Sequence, residues 1–334
     1  MSMAKSTAQT PALSLLQSPI AWLGAFWKFS RPHTIIGTSF SVLGLFTIAW
    51  ATRHPLGFSP GTFHIWQGLS ALWLTWLACI CANVYIVGLN QIEDVAIDQV
   101  NKPYLPVASG EFSLSQARML VGLAFGSALL LAFLSHSLYL IATVWLSLAI
   151  GTAYSLPPLR LKRFPFMASF CILAVRGAVV NLGLYLHAES QLGLLPRVPA
   201  RVWLLAVFIL VFSIAIAIFK DIPDIEGDRR YGITTFSVTL GQRSVFRLAQ
   251  GLLTGCYAAV IALAIFIPGV NPLVLISTHG ILLISLWYVS FQVSLDGDPA
   301  PGRGMSYAQF YQFIWKLFFI EYLVFPAACL MHQL

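Results

Sequence analysis

Carboxylate residues are concentrated in two segments of the sequence. Eight of the twelve acidic residues fall there. They are Glu93, Asp94, Asp98 and Glu111 in the first segment, and Asp221, Asp224, Glu226 and Asp228 in the second. Each segment begins where a long apolar run ends, and an ionisable group close to a membrane is costly unless it is paired or coordinated. The two segments therefore indicate a cation-binding function.

The first segment has helical spacing. Asn90, Asp94 and Asp98 recur every four residues and would cover an arc of roughly 80° on a helix. Their oxygen atoms are hard ligands of the kind that Mg²⁺ prefers, and Mg²⁺ fills its remaining positions with water and substrate phosphate. An ordinary solvated helix end is the alternative interpretation for this segment taken alone.

The second segment offers a similar set. Asp221, Asp224 and Asp228 would lie within roughly 60° of one another if the helix continues past Pro223. Two carboxylate sets that face each other would hold a diphosphate between metal ions. The duplicated spacing therefore predicts two metal-binding sets around a diphosphate.

Basic residues on the same predicted side of the membrane complement a diphosphate charge. The candidates are Arg31, Lys102, Arg160, Lys162, Lys220, Arg229 and Arg230. Guanidinium and ammonium groups both bind phosphate oxygens through charge-assisted hydrogen bonds. Retention of positive loops on the cytoplasmic side explains some of these residues equally well.

Two further polar positions lie in apolar runs. Arg176 is followed five residues later by Asn181, and an intramembrane Arg marks a functional site by default. It would either bind an anionic ligand or pair with a charge on another helix. His33, near the start of an apolar run, is either an interfacial side chain or a ligand contact.

Three tyrosines in or near the apolar runs are candidates for contact with a cation. These are Tyr85, Tyr154 and Tyr185. An aromatic face stabilises a cation by roughly 0.5 to 2 kcal/mol. Packing or interfacial anchoring is the alternative for each ring.

The elements that position these residues are membrane helices. Of the 334 residues, 58% are hydrophobic and only 9% are charged, which excludes an ordinary water-soluble domain. The net charge of +7 has no soluble basic face to carry it, so nucleic acid is not an expected partner. We expect a disordered tail over 1–17, with no signal-peptide pattern, and one transmembrane domain over 18–334.

Nine apolar runs are long enough to cross a bilayer, whose hydrocarbon core is about 30 Å thick. The predicted spans are 33–51, 67–90, 115–135, 137–156, 166–186, 202–220, 245–266, 273–293 and 309–331. Only a tight Ser135-His136-Ser137 link separates the third span from the fourth.

Lys and Arg are distributed unequally between the two sides. Fifteen of the nineteen fall on the side that carries the N-terminus and both acidic segments. Because short cytoplasmic loops are enriched in these residues, we expect a cytoplasmic N-terminus, a C-terminus on the opposite side and an odd number of spans.

The paired motifs resemble those of a known family. NQIEDVAIDQVNKPYLPVASGE (Asn90 to Glu111) and KDIPDIEGDRRYGITTFSVTLG (Lys220 to Gly241) resemble the two signatures of the UbiA-type intramembrane prenyltransferases. They are similar in particular to the homogentisate-prenylating group of cyanobacteria and plastids. WKFSRPHTIIGTS (Trp27 to Ser39) and YSLPPLRLKR (Tyr154 to Arg163) resemble the same group, so the likeness extends over most of the chain from Trp27 onward.

The resemblance implies an all-α bundle of nine transmembrane helices around a central cavity, with cytoplasmic loops carrying the Asp motifs. It implies that Asp94, Asp98, Asp221 and Asp224 act in catalysis through Mg²⁺. The implied metal ligands are Asn90, Asp94, Asp98, Asp221, Asp224 and Asp228. The expected substrate-binding residues are Asn90, Lys102, Arg160, Lys162, Arg176, Arg31 and Lys220.

The implied reaction transfers a phytyl or geranylgeranyl group from its diphosphate to homogentisate, with loss of CO₂, and gives a methyl-prenyl-benzoquinol for tocopherol biosynthesis. A homogentisate solanesyltransferase and chlorophyll synthase are the enzyme alternatives, and KDIPDIEGD (Lys220 to Asp228) favours homogentisate. A transporter is the alternative outside enzymes, but the acids gather at one membrane face and no inverted repeat is visible. The expected location is a cyanobacterial thylakoid or plasma membrane, or a plastid membrane.

Overall fold

A computed structural model describes residues 13–53, 62–223, 225, 236–295 and 304–333. Almost all of this part of the chain is helical, and its isolated β-bridge joins Val293 to Met305. The predicted all-α fold is confirmed.

Thirteen α-helices can be labelled in the described residues. They are α1 (Pro19–Phe29), α2 (Pro32–Arg53), α3 (Thr62–Glu93), α4 (Val95–Asn101), α5 (Leu114–Leu134), α6 (Leu138–Ser155), α7 (Pro165–Leu173), α8 (Val180–Gln191), α9 (Ala200–Asp221), α10 (Phe236–Leu240), α11 (Gln242–Leu263), α12 (Pro272–Gln292) and α13 (Tyr307–Leu330). A π-helix, Ala174–Val179, joins α7 to α8, and 3₁₀ turns lie at Leu161–Arg163, Ala264–Phe266 and Met331–Gln333.

Nine helical stretches in the described residues are long and apolar enough to cross a membrane, and they match the nine predicted spans one for one. They are Pro32–Thr52, Gly68–Glu93, Leu114–Leu134, Leu138–Ser155, Phe166–Gln191, Ala200–Lys220, Gln242–Phe266, Pro272–Gln292 and Tyr307–Leu330. The chain is an integral, multi-pass membrane protein. The fifth span ends five residues later than predicted, at Gln191, because the polar residues from His187 onward remain helical.

The helices pack through small residues, as membrane helices do when no water is present to drive association. α2 contacts α3, α8 and α13. At Gly44 the backbone of α2 approaches α13 so closely that a Cβ atom would lie 2.6 Å from the carbonyl oxygen of Tyr322. Large apolar side chains such as Trp73, Leu123 and Phe291 are exposed on the outside of the bundle. This arrangement leaves apolar surface for lipid and directs the polar residues inward.

The first described residues are held in place near α5. The Leu13 amide donates to the Glu111 carbonyl at 2.9 Å, and the Gln116 side chain donates to the Leu13 carbonyl at 2.8 Å. Residues 1–12 lie outside the described part of the chain. The boundary between a tail and the transmembrane domain at residue 18 stays a prediction.

Candidate active site

A cavity of about 290 Å³ lies among α2, α3, α6, the α7–α8 segment and α13. Along α6 its lining runs from Tyr154, near one helix end, to Thr143, near the other, which is about 16 Å at 1.5 Å per residue. Most of the lining side chains are apolar, while Arg31 and Asn90 lie at the Tyr154 end. The cavity therefore combines a polar end with a long body that is mostly apolar but also contains Arg176 and several hydroxyl side chains.

The first acidic motif keeps helical register across a break. α3 ends at Glu93, and Asp94 (φ −111°) precedes α4. Even so, the Asp94 amide donates to the Asn90 carbonyl at 3.1 Å, and the Asp98 amide donates to the Asp94 carbonyl at 2.7 Å. The Lys102 amide continues the series by donating to Asp98. These bonds stack Asn90, Asp94, Asp98 and Lys102 on one side of the segment.

The Asp94 carboxylate contacts three side chains. The Asn90 amide donates to its Oδ2 at 2.7 Å. The Lys162 ammonium lies 2.7 Å from its Oδ1, and Arg160 Nη2 lies 3.3 Å from the same atom. Arg160 also donates to the Glu93 carbonyl at 3.4 Å. Two predicted substrate-binding cations are therefore placed directly against a predicted metal ligand.

The loop after α6 brings these cations to the motif. It contains a cis bond between Pro157 and Pro158, and Arg160 has a left-handed backbone (φ 37°) before the 3₁₀ turn that holds Lys162. The Arg160 amide donates to the Leu156 carbonyl at 2.7 Å. Its Nε is buried without a hydrogen-bond partner among the described residues, so the guanidinium retains a donor for a ligand.

Asp98 lies in a different environment from Asp94. It is only 5% exposed, and its Oδ2 is buried without a hydrogen-bond partner in the described part of the chain. Burial raises the pKa of Asp98 above its usual range, although the charges of Lys102 and Arg31 act in the opposite direction. An unpartnered buried carboxylate oxygen is suited to coordinate a cation.

The second motif is described only where it begins. Asp221 is the last residue of α9, and Lys220 before it is exposed. Asp224, Asp228, Arg229 and Arg230 lie outside the described residues. Among the residues that are described, no three His, Cys, Asp or Glu side chains form a metal-binding cluster.

The two motifs nevertheless begin at the same end of the bundle. Lys220, Asp94 and Arg31 all interact electrostatically with the Tyr154 hydroxyl. The Tyr307 hydroxyl also donates to the Phe219 carbonyl at 2.5 Å and so anchors the end of α9 to α13. This geometry places the start of the second motif near the polar end of the cavity.

Arg176 lines the cavity from the π-helix. Its guanidinium lies 5.1 Å from the Trp315 ring centroid and 5.6 Å from that of Phe318, in cation–π geometry. Among the described residues no carboxylate lies within ion-pair distance of it. The alternative of a structural ion pair with another helix therefore has no support in the described residues.

The π-helix is stabilised by Asn181. Its side-chain amide donates to the carbonyls of Arg176 and Gly177, each at 2.9 Å, and its Oδ1 accepts from the Tyr322 hydroxyl at 2.9 Å. π-Turns are costly and occur often at functional sites. The Asn181 side chain provides donors for carbonyls where the α-helical pattern is interrupted.

The corner between α1 and α2 places two more residues at the cavity. Arg31 has a left-handed backbone (φ 53°), and its Nε is buried without a partner among the described residues. The Gln91 amide donates to the Phe29 carbonyl at 2.7 Å, which fixes this corner to α3. His33 lines the cavity, with its ring 5.2 Å from that of Trp315.

Of the three candidate tyrosines, Tyr154 lines the cavity. The Tyr85 hydroxyl is 2.7 Å from Thr152 Oγ1, and its ring packs against Phe125. The Tyr185 hydroxyl donates to Glu189 at 2.6 Å. Tyr85 and Tyr185 therefore have packing and hydrogen-bonding roles, while Tyr154 faces the site.

Comparison with known proteins identifies the family. The model of the UbiA prenyltransferase family matches residues 44–317, which is most of the chain. This protein belongs to the UbiA prenyltransferase family.

Curated relatives and a solved structure agree with this assignment. Homogentisate phytyltransferase of Synechocystis sp. (strain ATCC 27184 / PCC 6803 / Kazusa) is 48% identical over 310 residues, covering 92% of this chain and 96% of the relative. The chloroplastic homogentisate solanesyltransferase of Arabidopsis thaliana is 40% identical over 304 residues, covering 90% and 76%. The structure of a UbiA homologue from Archaeoglobus fulgidus bound to GPP and Mg²⁺ has a TM-score of 0.54 at 17% identity, covering 91% and 99%, and supports the fold.

Some residues of this UbiA family site could not be found from the sequence. Trp315 and Phe318 lie about 140 residues after Arg176, in an apolar run with many aromatic residues, so nothing marked them as its partners. Tyr307 lies in the sequence among loop residues before the ninth span. Only tertiary packing shows that Trp315 and Phe318 contact Arg176, and that Tyr307 anchors the end of α9 at which the second motif begins.

Proposed function

We propose that this protein transfers a prenyl group, phytyl or geranylgeranyl, from its diphosphate to homogentisate with loss of CO₂. The product is a methyl-prenyl-benzoquinol, the precursor of tocopherols. The observation that carries the proposal is a single cavity with the Asp94 and Arg160 cluster at its polar end and Arg176 on its wall. The 48% identity to a homogentisate phytyltransferase supports the choice of acceptor.

The polar end fits a metal diphosphate. Asn90, Asp94 and Asp98 offer hard oxygen ligands, including the unpartnered Oδ2 of Asp98, and Asp221, Asp224 and Asp228 would form the second set. Mg²⁺ bound there would neutralise the charge that develops on the departing diphosphate. The Archaeoglobus homologue was solved with GPP and Mg²⁺, which supports Mg²⁺ as the metal that this protein uses.

Basic side chains at this end would bind the diphosphate oxygens. Arg160 and Lys162 lie against Asp94, while Arg31 and Lys102 act electrostatically on Asp98. Arg31 and Arg160 each keep a buried Nε donor without a partner among the described residues, and these donors are available to a polyanionic ligand. Stabilisation of negative charge at the leaving group is the largest contribution such a site can make to breaking the allylic C–O bond.

The apolar body of the cavity would hold the prenyl chain and exclude water from the allylic cation. Tyr154 lines the cavity, and its aromatic ring would stabilise a cation there. Arg176 would bind the acceptor carboxylate and so orient the electron-rich ring toward the cation. Homogentisate is a hydroquinone, so its ring carbon attacks without a protein nucleophile.

The test is an assay of purified protein in detergent with Mg²⁺ and labelled homogentisate. Phytyl, geranylgeranyl and solanesyl diphosphate are supplied in turn, since a solanesyltransferase is 40% identical. We expect a prenylated, decarboxylated product with one of the first two donors. Asp94→Asn and Asp221→Asn should each lower the rate by about 10²-fold or more.

Glu111→Gln is the matched control, because Glu111 belongs to the same acidic segment but pairs with Lys28 at the surface. It should retain the wild-type rate. A preference for solanesyl diphosphate would change the donor and keep the reaction. If no donor reacts with homogentisate, the acceptor is wrong, and full activity in both Asp variants would refute the metal assignment.

A further inference from the structure

His33 and Arg176 lie against the same aromatic side chain inside the cavity. The His33 ring is 5.2 Å from the Trp315 ring, and the Arg176 guanidinium is 5.1 Å from a Trp315 ring centroid. Both residues line the cavity, although His33 comes from α2 and Arg176 from the π-helix. A carboxylate held by Arg176 would therefore bring the rest of an acceptor close to the imidazole.

The proposed reaction moves one proton within the acceptor. When the ring carbon bonds to the allylic carbon, the allylic C–O bond breaks and its electron pair leaves with diphosphate. The ring C–H bond then breaks, its electron pair restores the aromatic ring, and one proton is released. When the bond to the carboxyl carbon breaks, CO₂ leaves and the electron pair stays on the CH₂ carbon, which takes up one proton to become methyl.

Release and uptake therefore balance, and no oxidant or reductant is needed. In a cavity lined mostly by apolar side chains, a proton needs a carrier within reach of both carbons. The two carbons belong to one small ring system, so a single side chain can serve both. A carrier needs a free lone pair to take up the proton and must then release the proton again.

The lining of the cavity offers one such side chain among the described residues. The other titratable groups there are Arg31, Cys79, Tyr154, Cys171 and Arg176. A neutral imidazole has a ring nitrogen with a free lone pair, whereas a thiol, a phenol and a guanidinium all carry their proton already. No hydrogen bond to the His33 ring is found from any residue the structure describes, so both ring nitrogens remain available.

We propose that His33 carries the proton from the prenylated ring carbon to the CH₂ carbon, and thereby couples prenyl transfer to decarboxylation. The inference rests on the proposed function. The rival carrier is an oxygen of the departing diphosphate at the Asp94 end of the cavity. Arg176 fixes the carboxylate beside the imidazole, which favours His33.

The experiment follows a deuteron. Homogentisate with deuterium at all three ring positions is converted in ordinary water with Mg²⁺ and the preferred prenyl diphosphate. Mass spectrometry then measures how many deuterons the product contains. Two deuterons stay on the ring in every case. If the third is carried directly, part of the product keeps three deuterons, with one in the methyl group. We expect the fraction of product with three deuterons to lie clearly above the fraction that would remain if the third deuteron exchanged freely with water.

His33→Asn should abolish this retention and lower the rate of product formation by about 10²-fold. The matched control is His136→Asn, because His136 is an exposed histidine in the α5–α6 link and its left-handed backbone accepts Asn. That variant should keep the wild-type rate and the wild-type retention.

Each result is decisive. Active wild-type protein whose product never keeps the third deuteron would overturn direct transfer, and this measurement needs no folded variant. Equal retention in His33→Asn would assign the transfer to the diphosphate. If wild-type protein makes no prenylated product from homogentisate, the proposed function fails and the role of His33 fails with it, whereas prenylated product without the third deuteron overturns the role of His33 alone.

Discussion

At the scale of single residues, Asp94 and Asp98 lie one helical turn apart and have different partners. Asp94 is contacted by the Asn90 amide and by the cations of Arg160 and Lys162. Asp98 is buried and its Oδ2 has no partner among the described residues. We infer that Asp94 is held in position before any ligand binds, while Asp98 is completed only by a cation.

The stability of the protein should therefore depend on Asp98, pH and Mg²⁺ together. A carboxyl whose folded-state pKa is raised contributes stability at low pH and loses it as the pH rises through that pKa. Without Mg²⁺ at neutral pH, Asp98→Asn should unfold at a higher temperature than wild type, and the difference should shrink as the pH falls. Thermal unfolding in detergent with a chelator measures this.

Added Mg²⁺ should make wild-type protein unfold at a higher temperature than Asp98→Asn, because a cation that binds the folded state stabilises it. Wild-type protein should gain more in unfolding temperature than Asp98→Asn. An Asp98→Asn variant that is less stable than wild type in chelator at neutral pH would show that this carboxylate is not a vacant ligand.

Arg176 should control affinity for the acceptor and leave affinity for the donor unchanged. Its guanidinium is held on Trp315 and Phe318, where a planar fork can bind a carboxylate. Arg176→Gln should raise the KM for homogentisate by about 10-fold to 100-fold, the effect of losing roughly 1.4 to 3 kcal/mol from a charged hydrogen bond. Steady-state kinetics with each substrate varied in turn measures both constants.

Arg163→Gln is the control for loss of a positive charge, because Arg163 is exposed and stacks on Phe164 outside the cavity. It should leave the KM for homogentisate unchanged. A rise in the KM for the prenyl diphosphate that equals the rise for homogentisate in Arg176→Gln would place Arg176 at the donor instead.

At the scale of elements, the sequence predicted the spans well and their internal geometry poorly. Hydropathy and length locate nine helices because a bilayer sets both, and even the short link at His136 was visible. The fifth span reads as one apolar run, yet it is interrupted by the π-helix Ala174–Val179. That interruption depends on contacts with α9 and α13, which a local pattern does not contain.

The interruption should depend on Asn181. Asn181→Leu removes both donors to the carbonyls of Arg176 and Gly177 and leaves the Tyr322 hydroxyl without its acceptor. We expect a loss of about 1 to 3 kcal/mol in stability and a higher KM for homogentisate. Tyr322→Phe removes one of these bonds and keeps the amide contacts, so its effect on the KM should be smaller. Equal KM values in wild type and Asn181→Leu would contradict a positioning role.

The contact between α2 and α13 should tolerate no larger residue at Gly44. A Cβ there would lie 2.6 Å from the backbone oxygen of Tyr322, and a backbone atom moves only with its helix. Gly44→Ala should lower stability by about 1 to 3 kcal/mol. Gly126→Ala is the control, because no atom lies within 4 Å of its added Cβ. Thermal unfolding in detergent compares the two variants. Equal unfolding temperatures would show that α2 and α13 can move apart without loss of stability.

At the scale of the whole molecule, the sequence predicted the fold from the hydropathy pattern that a membrane imposes. It predicted the shared face of the first acidic motif from the spacing of its polar residues. The carboxylate spacing predicted a shared face for Asn90, Asp94 and Asp98, and backbone hydrogen bonds keep that register. The partners Arg160 and Lys162 lie more than 60 residues away from Asp94. Their contact could be suspected from charge, but the pairing needs the packing of α6 beside α3. Asp224 and Asp228 stay predictions.

The orientation in the membrane is the last property that the charge distribution predicts. From their positions in the sequence, fifteen of the nineteen Lys and Arg residues are predicted to lie on the side of the two acidic motifs, so that side should face the cytoplasm. Phe164, on the motif side of the fifth span, and Leu195, beyond its other end, are both exposed. In a bacterial host, a membrane-impermeant maleimide should label Leu195→Cys in intact spheroplasts and label Phe164→Cys only after the membrane is opened. Wild-type protein, whose five cysteines all lie within spans, gives the background. The opposite labelling pattern would show that the orientation in the membrane is the reverse of the predicted one. Identical labelling of the two positions would show that the span containing the π-helix does not cross the bilayer.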